Sequence, residues 1–154
     1  MEHNSELAHI IDRTALIENL LNQIIERYCS PRKEAFALFW QVVLDSSVMP
    51  LGAKVKVAMA VSQKINFKLT ADPLHKLISF RNAFAHHATD AHPTLLISKN
   101  PEQDELHYML HVISSSGKIR EIRRDKALEE FDRYFGQSKQ MLLDLLNAVS
   151  SSLE

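Results

Sequence analysis

Residues 72–88 read DPLHKLISFRNAFAHHA, and this stretch sets the organisation of the chain on either side of it. Asp72 can cap a helix, and the ring of Pro73 is pre-set for the first helical turn. On a helical wheel the following residues place one broad apolar arc, which is typical of a helix that packs against a core. The arc consists of Leu74, Leu77, Ile78, Phe84, Ala85 and Ala88. We therefore predict a helix from Pro73 to about Ala88.

Arg81 falls at the centre of that apolar arc. Burying a guanidinium among apolar side chains is costly unless an anion meets it. The pattern therefore predicts an enclosed Arg81 with one of two partners. One is a carboxylate of the chain, for which Asp45 and Glu26 are the candidates, and the other is a bound phosphate.

A polar strip lies beside the apolar arc on the same helix. It consists of His75, Ser79, Asn82 and His86. Asn82 and His86 are four residues apart, so their side chains can touch. A fixed cation next to a titratable imidazole suits RNA cleavage, because the imidazole can take the ribose 2′-hydroxyl proton while the arginine offsets charge on the phosphorane. A structural amide at Asn82 and a helix-end imidazole at His86 are the plainer alternatives.

Upstream of this helix the apolar spacing predicts three more helices. Ser5–Tyr28 repeats apolar residues every three or four positions, and Ser5 can cap that helix. After Pro31, the sequence AFALFWQVVL at 35–44 predicts a short helix that is apolar on most sides. Such a helix must be covered, so we expect it in the core or in a subunit contact. A loop-like stretch at 45–52 precedes a third helix at 53–63.

Downstream, Pro93 ends the helical pattern and three short runs rich in branched or aromatic residues follow. The runs are Thr94–Ser98, Leu106–Ile113 and Lys118–Arg123, and they predict an antiparallel β-meander. In the middle run, alternation places His107 and His111 on the wetter face. Helical spacing returns over 125–149. The predicted fold is mainly α, with about five helices and a small meander before the last one.

The length and charge of the chain limit its partners. A chain of 154 residues fits one domain, 1–154, with residues 1–4 and 150–154 expected to be unstructured. With 18 Lys plus Arg against 19 Asp plus Glu, there is no overall cationic field for nucleic acid. Any RNA contact needs a local patch. The candidates are Lys118, Arg120, Arg123 and Arg124, whose plainer role is a solvated hairpin edge.

Other functional classes lack their sequence signatures. The single cysteine, Cys29, suits a reducing compartment, and no leader or long apolar span is present, so we expect a cytoplasmic protein away from membranes. No phosphate-binding loop or dinucleotide fingerprint predicts a cofactor. Two histidine groups raise the question of a metal, but without cysteine ligands or an HExxH helix we expect none. These groups are His86, His87, Asp90 and His92, and His107 with His111.

The sequence RNAFAHH at Arg81–His87 resembles the motif of the HEPN superfamily. That motif is an arginine followed four to six residues later by a histidine, often with a polar residue directly after the arginine. Arg81, Asn82 and His86 match these three positions. The stretch PLGAKVKVAMAV at Pro50–Val61 and the hairpin after the motif are also similar to HEPN-like helical proteins, which include the mannitol operon repressor family.

The resemblance implies a homodimer in which the motif helices of two subunits approach each other. In active members it implies a metal-independent endoribonuclease, with His86 as general base, Arg81 as phosphate clamp and Asn82 as a positioning residue. Such a protein could be a toxin or defence component with an antitoxin partner. The fold also serves as a non-catalytic dimeric regulatory or partner-binding module, and this alternative stays open. Helix-turn-helix binding to DNA is disfavoured by the net charge.

Overall fold

The computed structural model describes the backbone of residues 2–86, 93–96 and 105–152, and the side chains of residues 5–86 and 108–152. This part of the chain holds five α-helices and three strands. The helices are α1 (Glu2–Cys29), α2 (Phe36–Leu38), α3 (Leu51–Lys64), α4 (Asp72–His86) and α5 (Arg124–Ser152). The strands are β1 (Pro93–Leu96), β2 (Glu105–Ile113) and β3 (Ile119–Arg123). The predicted mainly α fold with a small sheet before the last helix is confirmed.

The core lies between the long helices. α1 packs along α5 and against α3, and α4 packs on α5 and β2. The apolar residues at helical spacing face inward, as the sequence periodicity predicts. Fully buried members include Ile17, Leu21, Ile24, Leu74, Leu77, Phe84, Phe131, Leu142 and Leu145. Each such side chain contributes about 1.5–3 kcal/mol by leaving water. No helix among the described residues is long and apolar enough to cross a bilayer.

The three strands form an antiparallel sheet in the order β1-β2-β3, as predicted. Leu110 pairs with Ile122, and both are buried beneath the helices together with Val112. His111 and Ile113, at the alternate positions of β2, are exposed. One face of the strand is therefore apolar and buried and the other is exposed to solvent, as predicted. The side chain of His107 lies outside the described residues.

Two buried cations attach neighbouring helices to α1. Lys54 of α3 is 1% exposed, and its Nζ lies 2.5 Å from Oε1 of Glu18. Arg124 of α5 is 5% exposed, with Nε 2.5 Å from Oε2 of Glu6 and its guanidinium over the ring of Phe84. Removing one partner of such a pair leaves an uncompensated buried charge, which is strongly destabilising. The two pairs therefore fix how α3 and α5 lie on α1.

The helix ends differ from the predicted ones. α1 begins at Glu2, so Ser5 lies inside its first turns and does not cap it. α5 passes through Gly136 without a break and continues to Ser152. Glycine costs about 1 kcal/mol relative to alanine inside a helix, and the packing of the buried face offsets that cost. Residues 2–4 and 150–152, expected to be unstructured, are helical.

The apolar segment after Pro31 is not a core helix. It consists of three short pieces: a 3-10 turn at Lys33–Ala35, the single turn α2, and a π turn at Phe39–Val43. Phe36, Leu38 and Val42 are 45%, 60% and 46% exposed, so the core half of our expectation is wrong for these side chains. Trp40 is partly exposed, with its ring 6.4 Å from that of Phe36. The alternative, that this segment forms a subunit contact, stays a prediction.

Candidate active site

The orientation of α4 determines which of its side chains reach solvent. Its buried face includes Phe80 and Ala83, which the predicted arc left out, whereas Ala85, which the arc included, is exposed. At 100° per residue, this difference turns the buried face away from Arg81 by roughly 70°. Arg81 is exposed at the edge of that face. The prediction of an enclosed Arg81 is therefore wrong.

Arg81 lies at an open cavity between α1, the loop before α3, and α4. Its Nη1 donates a hydrogen bond to Oδ1 of Asn82 at 3.0 Å. The cavity has a volume of about 320 Å³, and Glu18 and Ser46 line its opposite side. The carboxylate that interacts with the Arg81 charge is Glu18, rather than Asp45 or Glu26. The guanidinium is thus accessible, and a neighbouring amide orients it.

Glu18 at this cavity stays ionised. Burial raises the pKa of Glu18, but hydrogen bonds from Lys54 and Ser46 and the charges of Lys54 and Arg81 outweigh that effect. Its pKa therefore lies below the ordinary value. Lys54 bonds directly to Glu18, whereas Arg81 acts on Glu18 only through its charge, so the guanidinium can also bind another anion.

His86 lies in the last turn of α4 at a second cavity, of about 340 Å³. Ser79 and Asn82 line the same cavity from α4, so three members of the predicted polar strip share it. The fourth member, His75, lines an adjoining cavity together with Ser79 and Asn82. Asn82 therefore lies between the Arg81 cavity and the His86 cavity. This places a cation and an imidazole on either side of one amide.

His111 of β2 enters the His86 cavity from the opposite wall. The sequence placed His111 only on the wetter face of a strand and in a metal hypothesis. The alternation along β2 predicted that it is accessible, but no pattern links it to α4, because the approach of the two elements is tertiary. The structure therefore adds a second imidazole to the candidate site.

Four neighbouring cavities along α4 share lining residues. The Arg81 cavity, the His86 cavity, the His75 cavity and a fourth cavity next to the β2–β3 hairpin share Ser79 or Asn82 as lining residues, and we call them together the α4 groove. Its charged lining residues are Lys56, Lys76, Arg81, Lys118, Arg120 and the acidic Glu18. Lys76 pairs with Asp72 and Arg120 with Glu130, so the excess positive charge of the groove comes from Lys56, Arg81 and Lys118, on a chain whose net charge is -1.

The predicted basic run separates into different environments. Lys118 and Arg120 line the α4 groove, and Arg120 also donates two hydrogen bonds to Glu130, at 2.7 and 3.0 Å. These bonds raise the pKa of Arg120 and lower that of Glu130. Arg123 pairs with Asp125 at 2.8 Å. Arg124 is buried against Glu6, where it holds α5 and does not face a backbone phosphate.

The described residues contain no cluster of three or more metal-ligating side chains. Of the histidine group considered for a metal, His87, Asp90 and His92 lie outside the described residues. No protein-family model, no curated protein and no solved structure matches this chain. The chemistry of the site is therefore inferred from the side chains of the α4 groove.

Proposed function

We propose that this chain is a metal-independent endoribonuclease of HEPN type that acts as a homodimer. The observation that carries the proposal is the position of Asn82 between the Arg81 and His86 cavities, with the Arg81 guanidinium bonded to its side chain. An accessible cation and an accessible imidazole thus flank one amide in an open groove. A general base and a cation are the two groups that favour transesterification at a phosphodiester.

In the proposed reaction His86 accepts the proton of a ribose 2′-hydroxyl. The 2′-oxygen attacks the adjacent phosphorus, and the bond from phosphorus to the 5′-oxygen of the next nucleotide breaks. The products are a 2′,3′-cyclic phosphate and a 5′-hydroxyl. Arg81 offsets the charge that develops on the non-bridging oxygens, and Asn82 orients Arg81. His111, on the opposite wall, supplies the proton to the leaving oxygen.

The charge of the groove supports an RNA substrate. Phosphate contacts need only a local cluster of cations, and Lys56 and Lys118 line the two cavities that share Ser79 with the His86 cavity. A cytoplasmic toxin or defence enzyme with an antitoxin partner is the biological setting that the motif resemblance implies. In the homodimer, the α4 helices of two subunits approach each other at the exposed edge that carries Ala85.

Incubation of the purified chain with RNA in EDTA tests the proposal. Wild type should cleave, while Arg81→Ala and His86→Ala should each lower the rate by about 100-fold or more. His9→Ala and Arg27→Ala are the controls, because both side chains lie on α1 and neither lines the α4 groove. Absence of cleavage by wild type, or cleavage that survives both active-site substitutions, would overturn the proposal.

A non-catalytic dimeric regulatory module is the second candidate. The exposed Phe36, Leu38 and Val42 favour it, because exposed apolar clusters mark contact surfaces. Light scattering on two variants separates the candidates. If the α2 segment forms the dimer, Leu38→Glu yields monomers and Ala85→Glu does not. If the α4 helices form it, the opposite result is expected.

A further inference from the structure

We propose that the cavity between α4, the β2–β3 hairpin and α5 binds one nucleotide of an RNA strand, with the base inside and the phosphate at Lys118. This hairpin cavity has a volume of about 420 Å³, which is in the range of small-ligand sites. The assignment to an RNA strand rests on the proposed function. The presence of a nucleotide site does not, and it can be tested without any cleavage.

The inner wall of the hairpin cavity is apolar and aromatic. Phe80 and Val112 are 3% and 6% exposed. The ring of Tyr134 lies 5.9 Å from that of Phe80 in a stacked arrangement, so the wall presents aromatic surface. Ile119, which is 71% exposed, forms the rim. Because Phe80, Lys76 and Arg133 already lie over the ring of Tyr134, a planar base would pack between the Ile119 rim and the edge of that ring and cover apolar surface there.

Hydroxyl groups stand where the edge of a base would lie. Ser114, Ser116 and Tyr134 line the cavity, and a hydroxyl can both donate and accept hydrogen bonds. The hydroxyls of Ser114 and Ser116 lie 2.9 Å apart, so both are held at the mouth. Ser114 and Ser116 bond to each other and Tyr134 Oη accepts a hydrogen bond from Arg133 at 3.0 Å, but a hydroxyl has two lone pairs and one O–H, so each can also bond a heteroatom on a base edge.

The cationic rim favours a ligand with a phosphate. Lys76 pairs with Asp72 and Arg120 pairs with Glu130, so their charges are largely balanced. Lys118, unlike these two, forms no ion pair with a carboxylate among the described residues, so its charge is left for an anion. The apolar wall together with this cation therefore fits a nucleotide better than a neutral aromatic ligand.

The hairpin cavity lies next to the proposed cleavage site. Ser79 lines both the hairpin cavity and the His86 cavity. A single strand with one phosphate near His86 can therefore place a neighbouring base in the hairpin cavity.

Titration calorimetry of the full chain carrying His86→Ala tests the site without turnover. The probes are 5′-AMP, adenosine and ribose 5-phosphate. We expect 5′-AMP to bind, and ribose 5-phosphate, which lacks a base, to bind at least about tenfold more weakly. Ile119→Ser and Lys118→Ala should each weaken 5′-AMP binding about fivefold or more. Both side chains are exposed, so the fold should be retained, and thermal melting checks this.

Val48→Ser and Lys64→Ala are the matched controls, because both side chains are exposed and neither lines the hairpin cavity. Absence of 5′-AMP binding, or binding that neither cavity variant weakens, overturns the site. A tetranucleotide of RNA that binds no more tightly than 5′-AMP overturns its assignment to a strand. Nucleotide binding without RNA cleavage by wild type would count against the proposed enzyme alone, whereas cleavage without binding would count against this site alone.

Discussion

The exposed position of Arg81 makes its substitution a direct test of function. Arg81 bonds to its neighbour Asn82 and lines an open cavity, so its removal leaves no buried charge without a partner. We expect Arg81→Ala to change the free energy of unfolding by less than about 0.5 kcal/mol, which urea titration measures. RNA cleavage should fall by roughly 100- to 1000-fold. A loss of several kcal/mol would show that the guanidinium is enclosed after all.

Glu18 has a structural role that a substitution can isolate. Because Lys54 is buried and Glu18 is its partner, Glu18→Gln leaves that ammonium uncompensated. We expect a loss of about 3 kcal/mol in the free energy of unfolding, measured with urea at neutral pH. Glu129→Gln is the control, since Glu129 pairs with Lys126 at the surface and should cost less than about 1 kcal/mol. Equal losses would contradict a special role for the buried lysine.

The lowered pKa of Glu18 also predicts a pH dependence of stability. A carboxyl group whose pKa is lower in the folded chain than in the unfolded chain stabilises the folded state. This stabilisation is complete at pH values above the pKa of the unfolded chain, which is near 4.5. This contribution is lost as the pH falls through the lower, folded pKa. The difference in unfolding free energy between wild type and Glu18→Gln should therefore be full at pH 7 and shrink in acid. Urea titrations of both proteins across the acid range measure it, and a constant difference would contradict the prediction.

At the level of elements, the sequence predicts which helices and strands form better than it predicts how each of them is oriented in the fold. The Asp72–Pro73 start of α4 and the alternation along β2 are local signals, and both are confirmed. The direction in which α4 turns is not local. It depends on the stacking of Phe80 on Tyr134 of α5, and a helical wheel of α4 shows only the residues of α4. The same reason hid His111, whose place beside His86 arises only when β2 packs against α4.

Two glycines in different elements should respond oppositely to alanine. Gly117 has φ of +80° in the turn between β2 and β3, where a side chain is strained. Gly136 lies exposed inside α5, and no neighbouring atom would meet an added Cβ. We expect Gly117→Ala to cost about 1 kcal/mol and Gly136→Ala to add about 0.5–1 kcal/mol, measured by thermal or urea unfolding. Effects of the same sign would contradict the assigned turn and helix.

For the whole molecule, a cationic groove on a nearly neutral chain predicts how RNA binding depends on salt. The net charge of -1 gives no general attraction, so the contacts should be few and local. With about three phosphates held, the logarithm of the binding constant should fall against the logarithm of salt concentration with a slope of roughly -2. Fluorescence anisotropy of an RNA oligonucleotide with the His86→Ala chain measures the slope. Lys118→Ala should make the slope shallower, while Lys64→Ala should not.

The apolar segment around α2 contains a natural fluorescent reporter. Trp40 is the only tryptophan of the chain, and it lies within that segment, beside the exposed Phe36. Indole fluorescence shifts to shorter wavelength when water leaves the ring. The emission maximum of the unlabelled protein therefore reports whether another molecule covers this part of the surface. If a second subunit covers it, dilution should release that subunit and move the emission maximum to longer wavelength.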